Sequence, residues 1–323
     1  MSKAAATVSV VTPTFRRPDE VVGLIENLRS QTNLPLELVL VDGAPAEETA
    51  TEVAVRAIAN DQPFRVVYVR HGGGTAIQRN VGIDRATGRF IAFVDDDIRL
   101  EPDFLRIMTE GFAKPGADRV GGIVGYRSNK HFSGDQRARW RWYKRLRLLK
   151  TFEPGRYDFL SGYPINANLQ PPFSGFRKVD FMTTSCAVWR SEVFGAGLRF
   201  DHFFRDYGVL EDAHLSLRAG RHWELLQCGD ARCTDLVSPH GRVNRHKLGY
   251  KCVVNYYYVF QDIVGPLTWA HRFRFWRFQI FELLRVAASA VRTRSSEAWS
   301  DVRGRLEGFR DIFRRTAFHT TES

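Results

Sequence analysis

The sequence lacks the features that mark secreted and membrane-spanning proteins. Its four cysteines have no paired or regular spacing, which predicts reduced structural thiols and argues against a disulfide framework or a zinc site. The amino-terminal segment has no long apolar run, so we expect no secretory signal. The most apolar stretch, residues 252–269, is interrupted by Asn255, Gln261 and Asp262, so we expect no membrane-spanning helix.

Repeats, low-complexity tracts and a Walker motif are absent as well. The glycine run at 72–74 is not followed by Gly-Lys-Ser/Thr, so it does not predict a nucleotide-phosphate loop of that kind. What the chain does have is length and apolar content: 323 residues, 44% hydrophobic and 13% aromatic. These values predict a folded core in one large domain or two ordinary ones, and they argue against global disorder.

Positive charge is in excess, with a formal net charge of +11. Such a surface attracts nucleic acid, anionic lipid or phosphorylated substrates. Residues 137–150 carry seven basic side chains and no acidic one, and residues 271–294 combine arginines with apolar residues at helix spacing. We expect contact with an anionic membrane surface; the alternative is an ordinary amphipathic helix packed on the protein. No nucleic-acid partner is expected, because no nucleic-acid motif accompanies the charge.

The first third of the chain alternates strands with helices. The patterns predict strands at 8–14, 36–42, 64–69 and 89–94. The helices between them are predicted at about 19–31, from the turn at 43–45 to about 59, and at 75–86. This order predicts right-handed crossovers and a mostly parallel sheet. Further along, we predict strands at 120–126, 179–190 and 223–228, a helix at 211–219, an irregular region at 127–178, and mostly helix from 248 onward.

The most informative segment is the strand at 90–97, FIAFVDDD, which ends in three adjacent carboxylates. In open α/β sheets, ligands bind at the carboxyl ends of the strands. Three neighbouring carboxylates repel one another unless a cation offsets them, and a hard divalent ion with oxygen ligands fits that need. The alternative is a solvated acidic turn that caps the helix starting near Pro102.

Four segments, taken in their order and spacing, resemble family 2 glycosyltransferases of the GT-A fold. They are VSVVTPTFRRP (8–18), LELVLVDGAP (36–45), AIQRNVGIDRATGRFIAFVDDD (76–97) and VLEDAHLSLRAG (209–220). The resemblance implies an α/β, Rossmann-like fold whose mostly parallel central sheet is flanked by helices. It implies a GT-A domain over 1–245, with a nucleotide-binding half to about 115 and an acceptor half after it. Residues 246–323 would form a helical, basic C-terminal extension.

The resemblance also implies a nucleotide-diphosphate-sugar donor and a Mg²⁺ or Mn²⁺ cofactor. The donor would contact Pro13, Thr14, Phe15, Asp42, Arg79, Asp95 and Asp96. The metal would be held by Asp97, Asp95 and His240, with the choice among the three aspartates left open. Such an ion offsets the charge that develops on the departing nucleoside diphosphate.

By the same resemblance, Asp212 would be the general base that takes a proton from an acceptor hydroxyl, with Glu211 as the alternative. Without the upstream motifs, this pair would be read as a charged first helical turn. Residues 136–140 match the QxxRW signature of processive polysaccharide synthases. In those enzymes the signature follows the acidic pair, whereas here it precedes it. We therefore expect a non-processive enzyme that adds one sugar.

The expected activity is inverting transfer to a hydroxyl of a lipid-linked glycan, in envelope or exopolysaccharide synthesis at the cytoplasmic face of a membrane. One alternative keeps the fold but uses a polyprenyl phosphate acceptor, which is already anionic and needs no base. Another is an inactive, membrane-bound scaffold.

Overall fold

The computed structural model describes residues 7–131, 138–206, 208–238 and 244–314 of the chain. Its first third alternates strands and helices as the sequence predicts. These elements are β1 (Val8–Thr14), α1 (Pro18–Arg29), β2 (Glu37–Asp42), α2 (Ala50–Ala59), β3 (Arg65–Arg70), α3 (Thr75–Arg85) and β4 (Phe90–Val94). Strands β1, β2 and β4 are buried along their whole length, which explains their near-continuous apolar sequences.

The remaining elements are further strands, short helices between them, and three long helices at the end of the described chain. They are β5 (Ile98–Leu100), α4 (Phe104–Gly111), β6 (Val120–Arg127), α5 (Ala138–Arg145), β7 (Tyr157–Asp158), β8 (Tyr163–Pro164), β9 (Phe176–Val179), β10 (Cys186–Arg190), α6 (Ser191–Gly195), α7 (Glu211–Ala219), β11 (Glu224–Asp235), α8 (Arg245–Val264), α9 (Trp269–Thr293) and α10 (Ser296–Phe313).

One large sheet organises the described residues, in the strand order β3-β2-β1-β4-β10-β6-β11-β5, with β9 paired to β11. Strands β3, β2, β1 and β4 are mutually parallel, and β10 runs antiparallel between β4 and β6. Thr14, at the end of β1, is in register with Asp42 at the end of β2. Because these strands run the same way, their carboxyl ends share one edge. The fold class predicted from the sequence, a mostly parallel GT-A sheet flanked by helices, is confirmed.

The middle of the chain departs from the predictions in three places. The single strand predicted at 179–190 is wrong: β9 ends at Val179 and pairs with β11, whereas β10 starts at Cys186 between β4 and β6. The region predicted as irregular contains α5 and the β7–β8 pair. The strand predicted at 223–228 continues to Asp235, past a register shift between Gln227 and Arg232.

The carboxy-terminal helices pack on each other and on the sheet domain. Gly249 and Gly304 permit close approach of α8 and α10, since a Cβ on Gly304 would lie 2.0 Å from the His246 carbonyl oxygen. Val259 of α8 belongs to the same apolar cluster as the sheet. On α9, the Glu282 carboxylate accepts a hydrogen bond of 2.6 Å from the hydroxyl of Tyr143 on α5. None of the helices in the described residues combines the length and the apolarity needed to cross a bilayer.

Candidate active site

A cleft of about 510 Å³ opens at the carboxyl edge of the parallel strands. It brings together residues from the ends of β1 and β4, from α3 and from the start of α7. Eight of the residues singled out in the sequence line it: Pro13, Thr14, Phe15, Arg79, Asp95, Asp96, Asp97 and Glu211.

The end of β1 is fixed by hydrogen bonds from α3. The side-chain amide of Gln78 donates to the carbonyl oxygens of Thr14 and Val41, at 2.9 and 2.7 Å, and so ties the ends of β1 and β2 together. Phe15 follows on the cleft wall with 40% of its surface exposed. A large aromatic side chain left exposed in a cleft is available to contact a planar ligand.

The three adjacent aspartates have different environments. Asp96 turns inward: only 2% of it is exposed, and its carboxylate accepts hydrogen bonds of 2.7 Å from the Thr14 hydroxyl and from the Arg17 guanidinium. Burial raises the Asp96 pKa to about 6, although the charge of Arg17 opposes this rise. The Asp96 carboxylate therefore holds β1 against the aspartate turn.

Asp95 and Asp97 lie on either side of this inward residue. Asp95 forms a 2.8 Å ion pair with the Arg79 guanidinium and keeps about 33% of its side chain exposed. One oxygen of Asp97 accepts a hydrogen bond of 3.1 Å from the Ser238 amide and lies 3.8 Å from the Arg17 guanidinium. Burial and the nearby charge of Asp95 both raise the Asp97 pKa. Two like charges are thus held close together at the cleft surface.

Arg79 links this aspartate turn to α7. Besides its contact with Asp95, its guanidinium lies 3.4 Å from the Glu211 carboxylate. Burial alone would lower the Arg79 pKa, but the charges of Asp95 and Glu211 outweigh it and the pKa is raised. Arg79 therefore remains a buried cation between two parts of the cleft, and its Nε has no hydrogen-bond partner among the described residues.

The start of α7 has a constrained backbone. Leu210 has a φ of 71°, a left-handed conformation that is costly for a leucine. A Cβ on Gly208 would lie 2.2 Å from the Glu211 carboxyl carbon, so any other residue here would displace that carboxylate. The chain therefore turns sharply just before α7 and directs Glu211 toward Arg79 and the Thr75 hydroxyl, which lies 3.5 Å from it.

Asp212 differs from Glu211 in its surroundings. It makes no ion pair with any described residue, and one of its oxygens accepts a hydrogen bond of 2.7 Å from the Ala213 amide. Burial, together with the adjacent charge of Glu211, raises its pKa to about 7. Glu211 lines the cleft directly, whereas Asp212 lies next to it and outside the lining.

Asp42, like Asp212, is not part of the cleft lining. Asp42 is fully buried, and its carboxylate accepts hydrogen bonds from the Ala44 amide at 2.8 Å and from the Tyr68 hydroxyl at 2.6 Å. Its predicted contact with the donor would require access from the side of Gly43, which does line the cleft. His240 lies outside the described residues.

The chemistry of the cleft fits a divalent cation that is shared with a substrate. Within the part of the chain that the structure describes, no group of three or more His, Cys, Asp or Glu side chains is arranged to hold a metal. Asp95 and Asp97 supply hard oxygen ligands and an excess of negative charge. Mg²⁺ and Mn²⁺ sites of this type use one or two carboxylates and complete their coordination with water and substrate phosphates.

Sequence reasoning gave no role to several residues of the cleft. Arg17, inside the first motif, contacts Asp96 and lies near Asp97; its place beside the strand end was a usable signal. Asp206 also lines the cleft and has a φ of 62°. The Asp206 amide donates a hydrogen bond of 3.1 Å to the Gly73 carbonyl oxygen, and a Cβ on Gly74 would lie 1.8 Å from the Asp206 carbonyl oxygen. This contact between distant loops had no sequence signal.

Comparisons with known proteins agree with the fold. Among solved structures, the chain is similar to the mannosyltransferase PcManGT from Pyrobaculum calidifontis in complex with GDP-Man and Mn²⁺, with a TM-score of 0.56, 17% identity, and coverage of 94% of this chain and 87% of that one. It is also similar to GalNAc-T7 with UDP, GalNAc and Mn²⁺, with a TM-score of 0.57, 14% identity, and coverage of 80% and 48%.

Curated relatives match about a third of the chain. The putative teichuronic acid biosynthesis glycosyltransferase TuaG of Bacillus subtilis is 29% identical over 103 residues, which are 32% of this chain and 40% of that protein. The succinoglycan biosynthesis protein ExoO of Rhizobium meliloti is 36% identical over 110 residues, 34% of this chain and 31% of that protein. The matches thus cover less than half the length of these relatives.

The family model described as glycosyl transferase family 2 matches residues 9–194. This range contains all but the first residue of β1, the strands β2 to β4, the aspartate turn and β10, and it is more than half of the chain. The protein therefore belongs to glycosyl transferase family 2.

Proposed function

We propose that this protein is an inverting, non-processive glycosyltransferase. It moves one sugar from a nucleotide-diphosphate donor to a hydroxyl of a glycan acceptor. The observation that carries the proposal is the cleft itself. Asp95 and Asp97 lie together at its strand-end edge, and buried Arg79 connects Asp95 to Glu211 at the start of α7, next to Asp212.

The donor would lie across the strand ends. Pro13, Thr14 and Phe15 form the wall that suits its base and ribose. Asp42 would add to this contact from the side of its neighbour Gly43, which lines the cleft. Asp95 and Asp97 would hold Mg²⁺ or Mn²⁺ against the diphosphate, with His240 as a further predicted ligand. When bound, that ion supplies positive charge opposite the leaving phosphate.

The protein's own residues have separate tasks in this scheme. Arg79 fixes Asp95 and Glu211, and Asp96 fixes the turn through Thr14 and Arg17. Asp212 accepts the proton of the acceptor hydroxyl while that oxygen attacks the anomeric carbon from the side opposite the leaving group, which inverts the configuration. A base works best when its pKa is near the working pH, and the Asp212 pKa of about 7 meets this condition.

The raised pKa of Asp212 favours a hydroxyl acceptor over a polyprenyl phosphate. A phosphate acceptor is already ionised, so an enzyme that uses one has no need of a tuned base. The curated relatives are named for teichuronic acid and succinoglycan synthesis, and their names support a glycan acceptor in envelope or exopolysaccharide synthesis. The organised cleft also argues against an inactive scaffold.

We place the enzyme at the cytoplasmic face of a membrane, as a peripheral protein with a lipid-linked acceptor. The net charge of +11 supports contact with an anionic surface. In this scheme residues 1–245 carry the transfer chemistry, and the helical region 246–323 contributes to membrane contact.

The proposal is tested by measuring thermal stability in the presence of UDP-, GDP- and dTDP-sugars, each with Mn²⁺ and with a chelator. A ligand that binds only the folded state raises the melting temperature, so one nucleotide-sugar class should do so only with the metal. The Asp97→Asn variant should lose this response, whereas Asp118→Asn, an exposed carboxylate elsewhere, should keep it. If no nucleotide sugar stabilises the parent protein, the proposed function is wrong.

A further inference from the structure

A second concave surface, distant in sequence from the cleft motifs, lies between the end of α5 and the start of α9. We call it the basic groove. Its volume is about 670 Å³, and its lining contains five cations and no carboxylate among the described residues. The cations are Lys144, Arg147, Lys150, Arg274 and Arg277.

These cations lack the partners that other basic residues of the chain have. None of them forms an ion pair with a described acidic residue, although arginines such as Arg17 and Arg79 do. The Arg277 guanidinium donates to the Arg147 carbonyl at 2.5 Å, and its buried Nε has no hydrogen-bond partner within the described residues. A buried donor without a partner is costly, so the hydrogen-bonding capacity of this guanidinium is not fully used within the described residues.

The first turn of α9 adds to the positive potential of the groove. Thr268 caps this helix of 25 residues, and Trp269, its first residue, lines the groove. The amino end of a helix carries a partial positive charge that favours anions. Trp269 and Phe273 stack at 5.4 Å between ring centroids beside the cations.

An exposed apolar stripe continues from the groove along α9. Its members follow one another at intervals of four and seven residues, so they occupy one side of the helix. They are Trp269 (78% exposed), Phe273 (51%), Ile280 (48%), Leu284 (63%) and Val291 (65%). The opposite side, with Phe275 and Phe278, is buried against the protein. The sequence predicted an amphipathic helix here, and this part of its apolar surface faces outward.

We propose that the basic groove and the stripe form one membrane-docking surface that binds anionic phospholipid. The cations and the start of α9 hold headgroup phosphates, and the stripe enters the boundary between headgroups and acyl chains. The inference deepens the proposed function by giving its membrane contact a location, and it rests on that function for its purpose alone.

The composition of the surface favours lipid over nucleic acid. Phosphate contacts alone would suit either partner. Ile280, Leu284 and Val291 offer aliphatic surface, which a nucleic-acid backbone leaves in water and a membrane buries. Helices with a basic flank and an apolar face lie in the plane of the interface, and tryptophan is enriched at that depth.

The test is sedimentation of the full chain with vesicles of pure phosphatidylcholine and of equimolar phosphatidylcholine and phosphatidylglycerol. The parent protein should bind the anionic vesicles in a salt-dependent manner. The groove variant Lys144→Gln, Lys150→Gln, Arg274→Gln should bind them about 100-fold more weakly, from the typical contribution of three basic residues at an anionic surface.

A matched variant removes the same charge elsewhere. Arg29, Arg85 and Arg119 are exposed on the sheet domain and make no ion pair with a described residue. Their triple change to Gln should weaken vesicle binding less than threefold, roughly as expected for screened, distant charges. Equal losses in the two triple variants would mean that only net charge matters, and this would overturn the proposal.

The stripe is tested by Ile280→Ser with Leu284→Ser, for which we expect about tenfold weaker vesicle binding. Unchanged vesicle binding by this variant would overturn the role of the stripe. A parent protein that is a dimer in solution, and that this variant makes monomeric, would also overturn it, because a second copy of the chain would then cover the stripe. Parent protein that binds a DNA duplex through the groove but ignores vesicles would overturn the lipid assignment.

The outcome is separable from that of the transferase proposal. Donor hydrolysis by the groove variant should equal that of the parent, because no groove residue lines the cleft. Vesicle binding without any sugar-nucleotide response refutes the enzyme but keeps the docking surface. The reverse result refutes the docking surface alone.

Discussion

The cleft and the basic groove are both charged concave surfaces, but they differ in whether their charged side chains are paired with one another. Five carboxylates and two arginines line the cleft, and most of these charges are tied to one another by hydrogen bonds. Five cations line the groove, and none is paired with a described carboxylate. The cleft is therefore organised before any ligand arrives, whereas the groove leaves its charge available to a partner outside the chain.

The difference has a physical reason. Arg17 and Arg79 are partly or fully buried, and a buried charge without a partner would destabilise the fold. The groove cations, apart from Arg277, project into or toward water, where an unpaired charge costs little. Charges fixed by partners suit chemistry at defined atoms, whereas solvated, unpaired charges suit binding to a surface that presents many similar phosphates.

Removal of divalent metal should have the largest effect, and it should affect the cleft alone. With a chelator present, we expect transfer to fall by about 10³-fold or more, since the charge on the leaving diphosphate would be left without its counter-ion. Binding to anionic vesicles should not change. Turnover that does not change with the chelator would contradict the proposed role of the cleft carboxylates in holding a metal ion.

Arg79→Gln should come next. It leaves Asp95 and Glu211 without their shared cation in a buried position, and we expect a loss of about 3–5 kcal/mol in the free energy of unfolding, measured in denaturant. Arg85→Gln, an exposed change on the same helix, should stay within about 0.5 kcal/mol of the parent. Similar results for both variants would mean that the cleft charges are not coupled.

Gly208→Ala should have an intermediate effect. The added methyl would meet the Glu211 carboxylate, so this side chain must move away from Arg79. We expect turnover to fall by about 10- to 100-fold, since Glu211 adjoins the proposed base Asp212 and small displacements beside a reacting group have effects of this size. Gly195→Ala, where a Cβ meets nothing within 4 Å, serves as the control. Normal turnover in Gly208→Ala would show that the position of Glu211 is unimportant.

The smallest effect concerns stability and pH. Because the folded-state pKa of Asp212 is raised to about 7, the folded protein retains a proton that the unfolded chain has lost above about pH 4. The stability contribution of this group therefore falls as the pH rises from about 4 to 7. Asp212→Asn, which mimics the protonated acid, should stabilise the protein by roughly 1–2 kcal/mol at pH 8 and by about a third of that at pH 5. Equal effects at both pH values would contradict the raised pKa.

The parallel half of the fold could be predicted because its strands are short and regularly interrupted by helices, and because β1, β2 and β4 are fully buried. The run from Phe90 to Val94 has no polar residue, and the aspartates that follow it had to lie at the ligand edge. The error at 179–190 has a local origin. Residues 180–185 (DFMTTS) mix apolar with small polar side chains and contain no glycine or proline to mark a turn. Only pairing with β11 and β4 separates the two strands.

The sequence predicted most of the residues that line the site, but not the different contacts that each of them makes. Sequence alone could not tell that Asp96 turns inward toward Thr14 and Arg17 while its two neighbours stay at the cleft surface. It also gave no hint that Asp42 would be enclosed by Tyr68 and Ala44. These choices depend on contacts between segments that are far apart in the chain.

The measurement that tests the central claim most directly is turnover of Asp212→Asn beside Asp118→Asn, with donor affinity determined by calorimetry in Mn²⁺. We predict that Asp212→Asn loses about 10³-fold in transfer, keeps the donor affinity of the parent, and that parental turnover rises through a midpoint near pH 7. Near-normal transfer by Asp212→Asn would contradict the assignment of the base and with it the proposed mechanism.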